Sequence, residues 1–372
     1  MSIDLSRMPK IGFGLMRLPE TDGVIDIDKV CKMADAYMEA GFNYFDTAYV
    51  YHGGNSEKAV KEAIVKRYPR DSFTIATKLP AWSIHSFEDR DKIFNEQLER
   101  CGVDYFDFYL LHSIEDGNNY DTYVKYDCFN WGVQKREEGK IKHLGFSYHG
   151  TPELLVKIVD SHPEIEFVQI QLNYADWDNP LVHSGKLYQI LSERNIPIIV
   201  MEPCKGGKLA NLDEECSAIL KNIRPDKSMA SWAFRFLQSI PEVTMILSGM
   251  SNFTQLKENI ETFSTDAPLN EAEWNTVLGI ADDMIQKIAL PCTSCKYCTE
   301  KCPMELNIPA LIEIYNEHVF TGGGFLPGMK LSVFPEDKRP NACIGCRSCE
   351  AVCPQNIKIS EAMQDFAEKM KG

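Results

Sequence analysis

The sequence predicts an α/β protein: a closed, parallel (β/α)8 barrel (TIM barrel) followed by a small C-terminal domain of short helices and loops. Three observations support this prediction. The chain has 372 residues, which is longer than the chains that usually fold around a single hydrophobic core. Short apolar runs alternate with amphipathic helical stretches over its first two thirds. Eight of the 13 cysteines fall in two tight groups near the C-terminus.

Each predicted strand is a short apolar run, and most are followed by a helical pattern. Eight strands in strand-then-helix order fit a barrel better than an open sheet. No GxGxxG motif follows a strand, so the two-halved dinucleotide-binding fold lacks its fingerprint. In chain order the predicted strands are IGFGLM at 11–16, NYFDTA at 43–48, FTIATKL at 73–79, FDFYLLHS at 106–113, KHLGFS at 142–147, FVQIQLN at 167–173, PIIVMEP at 197–203 and TMILSG at 244–249.

The expected domain organisation is a barrel over residues 1–265, a linker helix over 266–290 and a small domain over 291–372. Hydrophobic residues make up 44% of the chain and charged residues 25%, which is ordinary for a folded soluble protein. No run of 18 apolar residues and no signal-peptide pattern is present, so we expect a cytoplasmic protein. The net charge of -15 disfavours broad binding to nucleic acid or anionic membrane.

The two cysteine groups share the pattern CxxCxxCxxxCP, as PCTSCKYCTEKCP at 291–303 and ACIGCRSCEAVCP at 342–354. Three thiolates spaced by two residues can surround one corner of a cubane cluster, and the fourth reaches a second cluster. The expected pairing is therefore crossed. One cluster is assigned Cys292, Cys295, Cys298 and Cys353, and the other Cys343, Cys346, Cys349 and Cys302.

Over 291–358 this segment resembles bacterial two-cluster ferredoxins, which implies a ferredoxin-like domain with two [4Fe-4S] clusters. The stretch between the motifs, 303–342, is longer than in a minimal ferredoxin. Two structural zinc sites are the alternative, because CxxC pairs also suit tetrahedral zinc. Tetrahedral zinc binding requires neither the repeated third spacing in CxxCxxCxxxCP nor the proline that ends the motif.

Candidate catalytic residues stand at the C-terminal ends of barrel strands, where the loops converge on one mouth. Asp46 ends the second strand, Tyr51 follows it, and Lys78 and His112 end the third and fourth. Reduction of a carbonyl by hydride leaves an alkoxide that needs a proton donor. Tyr51 can donate the proton, since a nearby ammonium favours ionisation of a tyrosine. Lys78 would supply that charge, Asp46 would hold Lys78, and His112 would orient the substrate oxygen. The alternative is a structural ion pair and a satisfied core histidine.

The chain resembles the aldo-keto reductase family over residues 10–264. The matching stretches are GFNYFDTAYVYHGGNSEKAV, FTIATK, DYFDFYLLH, GKIKHLGFS and SGMSNFTQLKENI. The four candidate residues fall at the family's catalytic positions, which implies a reductase that uses a nicotinamide cofactor.

The same resemblance implies cofactor contacts from the late strands, with a helix N-terminus near the phosphates. Three positions depart from the family pattern. Tyr148 stands where an asparagine is usual, and Glu202 stands near the position where many members have an aromatic ring against the nicotinamide. Gln255 stands near the position of the arginine that usually binds the 2′-phosphate. NADP(H) is expected over NAD(H), since Lys257 can meet a 2′-phosphate. The predicted contacts are Ser147 and Gln169 for the carboxamide, Gly249, Ser251 and Asn259 for the adenosine phosphates, and Glu202 and Gln255 at the departing positions.

These features predict an NAD(P)H-linked oxidoreductase for a small carbonyl or alcohol, with two clusters for electron transfer or docking to a redox partner. The alternative is an iron–sulfur electron-transfer protein whose barrel binds a flavin or a redox partner. A third hypothesis is a noncatalytic interaction module. Trp82, His85 and Trp177 are predicted in loops that line a substrate pocket or pack as lids, and Cys204 as inert packing.

Overall fold

A computed structural model describes residues 10–115, 118–179, 182–265, 267–288, 290, 292, 295–321, 323 and 325–371. The chain divides into two compact units, Met1–Val277 and Leu278–Gly372. The helix Glu271–Ile288 spans that division. The domain boundaries at 265 and 290 stay predictions.

The first unit is a closed barrel of eight parallel strands, as the sequence predicts. Each strand pairs with its neighbours in chain order, and the first closes the barrel against the last. Gly14 is in register with both Asp46 and Gly249, so the C-terminal ends of these strands meet at one mouth. The strands are β1 Ile11–Gly14, β2 Tyr44–Asp46, β3 Thr74–Pro80, β4 Phe106–Ile114, β5 Ile141–Tyr148, β6 Phe167–Gln171, β7 Ile198–Met201 and β8 Val243–Gly249.

The barrel interior is filled by side chains, so it is a packed core. Tyr44, Phe108 and Phe167 meet there with aliphatic residues from the other strands. Gly145 is required in β5, because a Cβ at this position would lie 2.5 Å from the Phe167 carbonyl oxygen.

Helices surround the barrel, and several begin at a side chain that caps the first turn. Asp26, Thr151 and Asn252 each accept a hydrogen bond from a backbone N–H in the following turn. A two-stranded hairpin, Glu20–Thr21 with Val24–Ile25, follows β1, and a π-helical turn, Lys61–Val65, continues the helix Asn55–Val60. The helices are α1 Ile27–Glu39, α2 Asn55–Val60, α3 Phe87–Cys101, α4 Asn118–Lys125, α5 Cys128–Glu137, α6 Pro152–Ser161, α7 Ser184–Glu193, α8 Glu214–Ile223, α9 Met229–Gln238, α10 Phe253–Phe263 and α11 Glu271–Ile288.

The second unit consists of short helices and 3-10 turns around a small core of its own. Ile308, Leu311, Ile359 and Phe366 are buried there together with two of the motif cysteines. Among the residues that the structure describes, no helix is both long and apolar enough to cross a membrane. The helices of the second unit are α12 Tyr297–Glu300, α13 Ile308–Thr321, α14 Phe325–Ser332 and α15 Ile359–Lys369, with 3-10 turns at Glu336–Lys338, Pro340–Ala342 and Glu350–Val352.

Candidate active site and cysteine cavities

The barrel mouth brings the four predicted catalytic residues together. Lys78 is fully buried, and its Nζ donates to Asp46 Oδ1 at 2.6 Å and to the Thr47 carbonyl oxygen at 2.7 Å. The same Nζ lies 3.4 Å from the Tyr51 hydroxyl oxygen. The Tyr51 and His112 rings meet edge to face, with centroids 6.0 Å apart. A buried ammonium thus connects a carboxylate to the tyrosine hydroxyl.

The turn that carries Tyr51 is held by the residue after it. His52 has a left-handed φ of 50°, an uncommon conformation for a residue with a side chain. Its Nδ1 hydrogen-bonds Glu20 Oε1 at 2.7 Å, and its Nε2 accepts from the Leu18 N–H at 3.4 Å. Both ring nitrogens therefore tie the Tyr51 turn to the segment that follows β1.

A second buried network holds β3 in place behind Lys78. The Glu57 carboxylate is buried and accepts from Thr77 Oγ1 at 2.8 Å and from Gln97 Nε2 at 2.9 Å. Gln97 Nε2 also lies 3.0 Å from the Lys78 carbonyl oxygen, which it can bind as a donor. Arg100 lies 3.4 Å from the same carboxylate. The network fixes the backbone from which Lys78 extends.

The protonation of the site follows from burial and from the Lys78 charge. Burial, together with the Lys78 charge, lowers the pKa of His112 well below its ordinary value, so His112 is neutral at pH 7. Burial opposes the charge of Lys78, but Asp46 and Tyr51 outweigh it and raise the Lys78 pKa. Burial raises the pKa of Tyr51, and Lys78 offsets only part of that shift. Tyr51 therefore keeps its proton at neutral pH.

Ser147 and Gln169, the predicted carboxamide contacts, are neighbours. They are in register on β5 and β6, and both are buried. Ser147 Oγ accepts from the Ser113 N–H at 2.7 Å. Among the described residues, Gln169 Oε1 finds no hydrogen-bond partner although it is buried. A buried amide oxygen without a partner fits an external N–H donor such as a carboxamide.

The predicted phosphate contacts lie around the N-terminus of α10, with one exception. Gly249 ends β8, and the Ser251 N–H donates to Gln255 Oε1 at 2.8 Å in the first turn. Asn259 is buried instead, where its Nδ2 donates to Ser248 Oγ at 2.9 Å. The structure brings Gly249, Ser251 and Gln255 to the helix terminus and places Asn259 behind it.

Arg17, which sequence reasoning missed, lies beside these residues. It ends the 3-10 turn after β1, and its carbonyl oxygen accepts from Ser251 Oγ at 2.9 Å. Its side chain covers Gly249, since a Cβ added there would lie 3.4 Å from the Arg17 side chain. The available signal was a cation directly after the first predicted strand, at the mouth end of the barrel.

Glu202 follows β7 with a left-handed φ of 55°. Its Oε2 accepts from the Gly206 N–H at 2.5 Å, and its carbonyl oxygen accepts from Asn173 Nδ2 at 3.0 Å. Its carboxylate is close enough to add to the rise in the Tyr51 pKa that burial causes. The structure thus places a negative charge near the tyrosine hydroxyl.

A buried ion pair that the sequence did not reveal supports the Glu202 loop. Lys205 Nζ contacts Asp176 Oδ1, and both side chains are buried. Asp176 Oδ2 also accepts from Gln171 Nε2 and Asn173 Nδ2, each at 2.8 Å. In the same loop, burial and the Glu202 charge raise the pKa of Cys204 to about 12. Cys204 is therefore a neutral thiol, as expected for packing.

Of the three predicted pocket aromatics, the structure brings only Trp82 next to the catalytic group. Its ring lies 5.3 Å from the His112 ring, and the residue is 45% exposed. Trp177 packs against Phe236 and Trp274 at 5.6 and 5.5 Å. His85 is held through its backbone, which bonds Asp89 and Tyr126.

The eight motif cysteines line two cavities in the second unit, in the crossed arrangement expected from their spacing. Ile359 lines both cavities. All eight thiols are free. The first cavity is lined by Cys292, Cys295, Cys298 and Cys353, and the second by Cys302, Cys343, Cys346 and Cys349.

The mouth of the (β/α)8 barrel thus holds a buried lysine–aspartate pair beside a tyrosine, and the second unit holds the paired cysteine motifs. Residues 10–282 match the model of the aldo/keto reductase family, and the chain belongs to that family. Residues 291–358 match the model of the 4Fe-4S dicluster domain. The fusion of a barrel with a ferredoxin-like domain is confirmed.

Curated relatives match the barrel part. An uncharacterized oxidoreductase, YqkF of Bacillus subtilis, is 26% identical over 282 residues, which cover 68% of this chain and 86% of that protein. L-galactose dehydrogenase of Arabidopsis thaliana is 26% identical over 276 residues, covering 68% and 84%.

Solved structures show the same fold. The thermostable aldo-keto reductase Tm1743, crystallised with epalrestat, has a TM-score of 0.62 at 20% identity over 75% of this chain and 99% of that chain. A Klebsiella pneumoniae aldo-keto reductase in complex with NADPH has a TM-score of 0.58 at 20% identity, covering 74% and 91%.

Proposed function

We propose that the barrel reduces a small carbonyl compound with NADP(H), and that Tyr51 gives the proton to the substrate oxygen. The contact of Lys78 Nζ with both Asp46 and the Tyr51 hydroxyl carries this proposal. The nicotinamide cofactor would supply the hydride. Tyr51 would donate its proton as negative charge develops on the oxygen, and the Lys78 ammonium would stabilise the resulting phenolate.

His112 would orient the substrate oxygen, and its contacts and protonation state support this role. It is neutral because of its lowered pKa, and its ring contacts those of both Tyr51 and Trp82. A neutral imidazole can donate one hydrogen bond to a carbonyl oxygen without competing as an acid. Trp82 would cover an apolar part of the substrate at the open side of the mouth.

The proposed cofactor site is formed by the later strands of the mouth, β5, β6 and β8. Gln169 and Ser147 would hold the carboxamide, and the Gln169 oxygen that lacks a partner supports this placement. Gly249, Ser251 and Gln255, with the Arg17 cation beside them, would receive the phosphates. The Klebsiella pneumoniae relative in complex with NADPH supports NADP(H) as the cofactor.

The test is turnover of an activated aldehyde, 4-nitrobenzaldehyde, by protein purified without oxygen, with NADPH and NADH compared. We expect turnover with NADPH to exceed that with NADH. Lys78→Met should lose most activity, because Tyr51 then has no neighbouring cation to stabilise its anion. Lys66→Met, a matched change at an exposed lysine that pairs with Glu62, should leave turnover unchanged. Equal turnover by Lys78→Met and wild type would contradict the proposed mechanism.

We also propose that the eight motif cysteines bind two [4Fe-4S] clusters, which would supply one-electron transfer. Four thiols around each cavity match the ligand requirement of such a cluster. Analysis of anaerobically prepared protein should find about eight iron and eight sulfide per chain. Zinc in their place would establish the structural zinc alternative.

The second candidate function is an electron-transfer protein whose barrel binds a flavin or a redox partner, and the paired cysteine cavities favour it. The absorbance spectrum of the purified protein separates the two functions. A bound flavin together with no nicotinamide binding would favour the electron-transfer protein.

A further inference from the structure

A buried asparagine on α13 binds both backbone groups of a residue just ahead of the first cysteine motif. Asn316 is buried, and its Oδ1 accepts from the Leu290 N–H at 2.8 Å. Its Nδ2 donates to the Leu290 carbonyl oxygen at 2.9 Å. Only this orientation of the amide satisfies both groups, because the flipped amide would set donor against donor and acceptor against acceptor. The two bonds therefore fix Leu290 to α13.

The same carbonyl oxygen also binds the backbone of the first motif cysteine. The Cys292 N–H donates to the Leu290 carbonyl oxygen at 2.7 Å. Leu290 and Cys292 both pack against the hydrophobic core of the second unit. One carbonyl oxygen thus connects the Asn316 amide to Cys292, so the position of Cys292 relative to α13 depends on that amide.

The helix that carries Asn316 also lines the first cysteine cavity. Pro309 and Ile312 of α13 line this cavity together with Cys292. Asn316 follows Ile312 by one helical turn and therefore lies on the same face of α13. One helix face thus both lines the cavity and holds the segment that brings Cys292 to it.

The second motif is held in a different way. The N–H of its first cysteine, Cys343, donates to the Pro340 carbonyl oxygen at 3.1 Å, at the end of a 3-10 turn. Each motif is followed by a helix at the same spacing, α13 after the first and α15 after the second, and this repeat places Ala367 at the position of Asn316. An alanine side chain forms no hydrogen bonds, so the second motif has no amide clamp at that position.

We propose that Asn316 is a positioning residue for the first cluster and that it keeps Cys292 in place as an iron ligand. This inference rests on the proposed cluster binding. Removal of a group that orients a metal ligand from outside costs about 10- to 100-fold in metal affinity. Without the clamp, the iron bound to Cys292 would leave more readily when the cluster is oxidised. The [4Fe-4S]²⁺ cluster then gives one electron to the oxidant and one Fe²⁺ to solution, which leaves [3Fe-4S]⁺, and the freed Cys292 thiolate takes a proton from water.

The experiment treats cluster-loaded full-length protein with ferricyanide under argon and follows the paramagnetic signal and the iron content. Asn316→Leu keeps the approximate size of the side chain but removes both hydrogen bonds. We expect this variant to form the [3Fe-4S]⁺ signal at least about tenfold faster than wild type. Its iron content should fall from about eight to about seven per chain, because only the first cluster loses an iron. Intact [4Fe-4S]²⁺ clusters are diamagnetic, so the signal reports the damaged cluster alone.

Two further variants separate the clamp from a general loss of stability. Asn341→Leu is the matched control, because Asn341 is exposed and precedes Cys343 by the same spacing by which Leu290 precedes Cys292. This control should react like wild type. Asn316→Ser has a side chain too short to reach both Leu290 groups and should behave like Asn316→Leu. It decides the question if the leucine variant does not take up clusters.

The outcomes distinguish the positioning role from the cluster binding on which it rests. Wild type without iron would overturn the proposed cluster binding. Cluster-loaded Asn316→Leu that loses iron at the wild-type rate would overturn the positioning role alone. Loss of about two irons per chain, one from each cluster, would also overturn it, because Asn316 would then stabilise the whole unit. Failure of both Asn316 variants to take up either cluster would have the same meaning.

Discussion

Replacement of Tyr51 by phenylalanine removes one hydroxyl from the proposed active site and little else. The ring would keep its edge contact with His112, 6.0 Å away, and its position 4.8 Å from Lys78 Nζ. Lys78 would lose only its longest oxygen contact, at 3.4 Å, and would keep Asp46 and Thr47. We therefore expect the variant to fold, with a stability change of about 1 kcal/mol.

The catalytic effect should be much larger than this structural one. Loss of a positioned general acid costs about 10² to 10⁴ in rate, or about 2.7 to 5.5 kcal/mol in the barrier. Cofactor binding should not change, because the residues proposed to hold the carboxamide, Ser147 and Gln169, lie on β5 and β6. The prediction is a fall in kcat with an unaltered Kd for NADPH.

The assay combines NADPH titration with aldehyde turnover, and Tyr49→Phe is the matched control. Tyr49 lies two residues away, but its hydroxyl donates to Glu96 at 2.7 Å rather than contacting Lys78. Tyr49→Phe should therefore turn over the aldehyde like wild type. Turnover of Tyr51→Phe within about twofold of the Tyr49→Phe rate would refute the assignment of Tyr51 as proton donor, since general acid catalysis is worth far more.

Four further predictions follow from the two sites. Cys295→Ala should lose one cluster and loosen the second unit, whereas Cys216→Ala, a buried cysteine outside the motifs, should keep all iron in metal analysis. Glu202→Tyr should tighten NADPH binding in a fluorescence titration, because a ring replaces a carboxylate beside the proposed nicotinamide site; weaker binding would contradict that location. NADPH alone should leave the cluster absorbance and paramagnetic signal of flavin-free protein unchanged, and prompt bleaching would show a single-electron route. The pKa of His112 is lowered in the folded state. Below pH 6.5, His112 therefore becomes protonated in the unfolded chain while it stays neutral in the folded protein. As pH decreases below 6.5, the unfolding free energy of wild type should therefore decrease more steeply than that of His112→Gln, by about 1.4 kcal/mol per pH unit. Urea midpoints measure this difference, and parallel curves for the two proteins would contradict the prediction.

The barrel was predictable because its strands are short apolar runs separated by helical patterns. The strand ends were less accurate. The first predicted strand extends to Met16, but β1 ends at Gly14, where the chain enters a 3-10 turn. The seventh extends to Pro203, but β7 ends at Met201 because Glu202 takes a left-handed conformation. Such conformations depend on loop contacts that apolar periodicity does not encode.

The proximity of Asp46, Tyr51, Lys78 and His112 was predictable from the rule that strand ends of a barrel converge. Its electrostatics were not. The sequence suggested that Lys78 would lower the pKa of Tyr51, whereas burial outweighs that effect and raises it. The Asp176–Lys205 pair and the approach of Arg17 to Gly249 join loops that are distant in sequence. Pairing at such separation depends on the folded geometry of the mouth.

The electron stoichiometry of the two units limits what the whole chain can do. A nicotinamide cofactor transfers two electrons as hydride, whereas each [4Fe-4S] cluster exchanges one. In the proposed mechanism, Tyr51, Lys78 and Asp46 would hold charge and move a proton, which would serve hydride chemistry and would not split an electron pair. A flavin, or a substrate that can form a radical, is the component that would join the two processes. If flavin is absent and NADPH leaves the clusters oxidised, the barrel and the cluster domain exchange separate electrons, and an external one-electron donor would have to reduce the clusters.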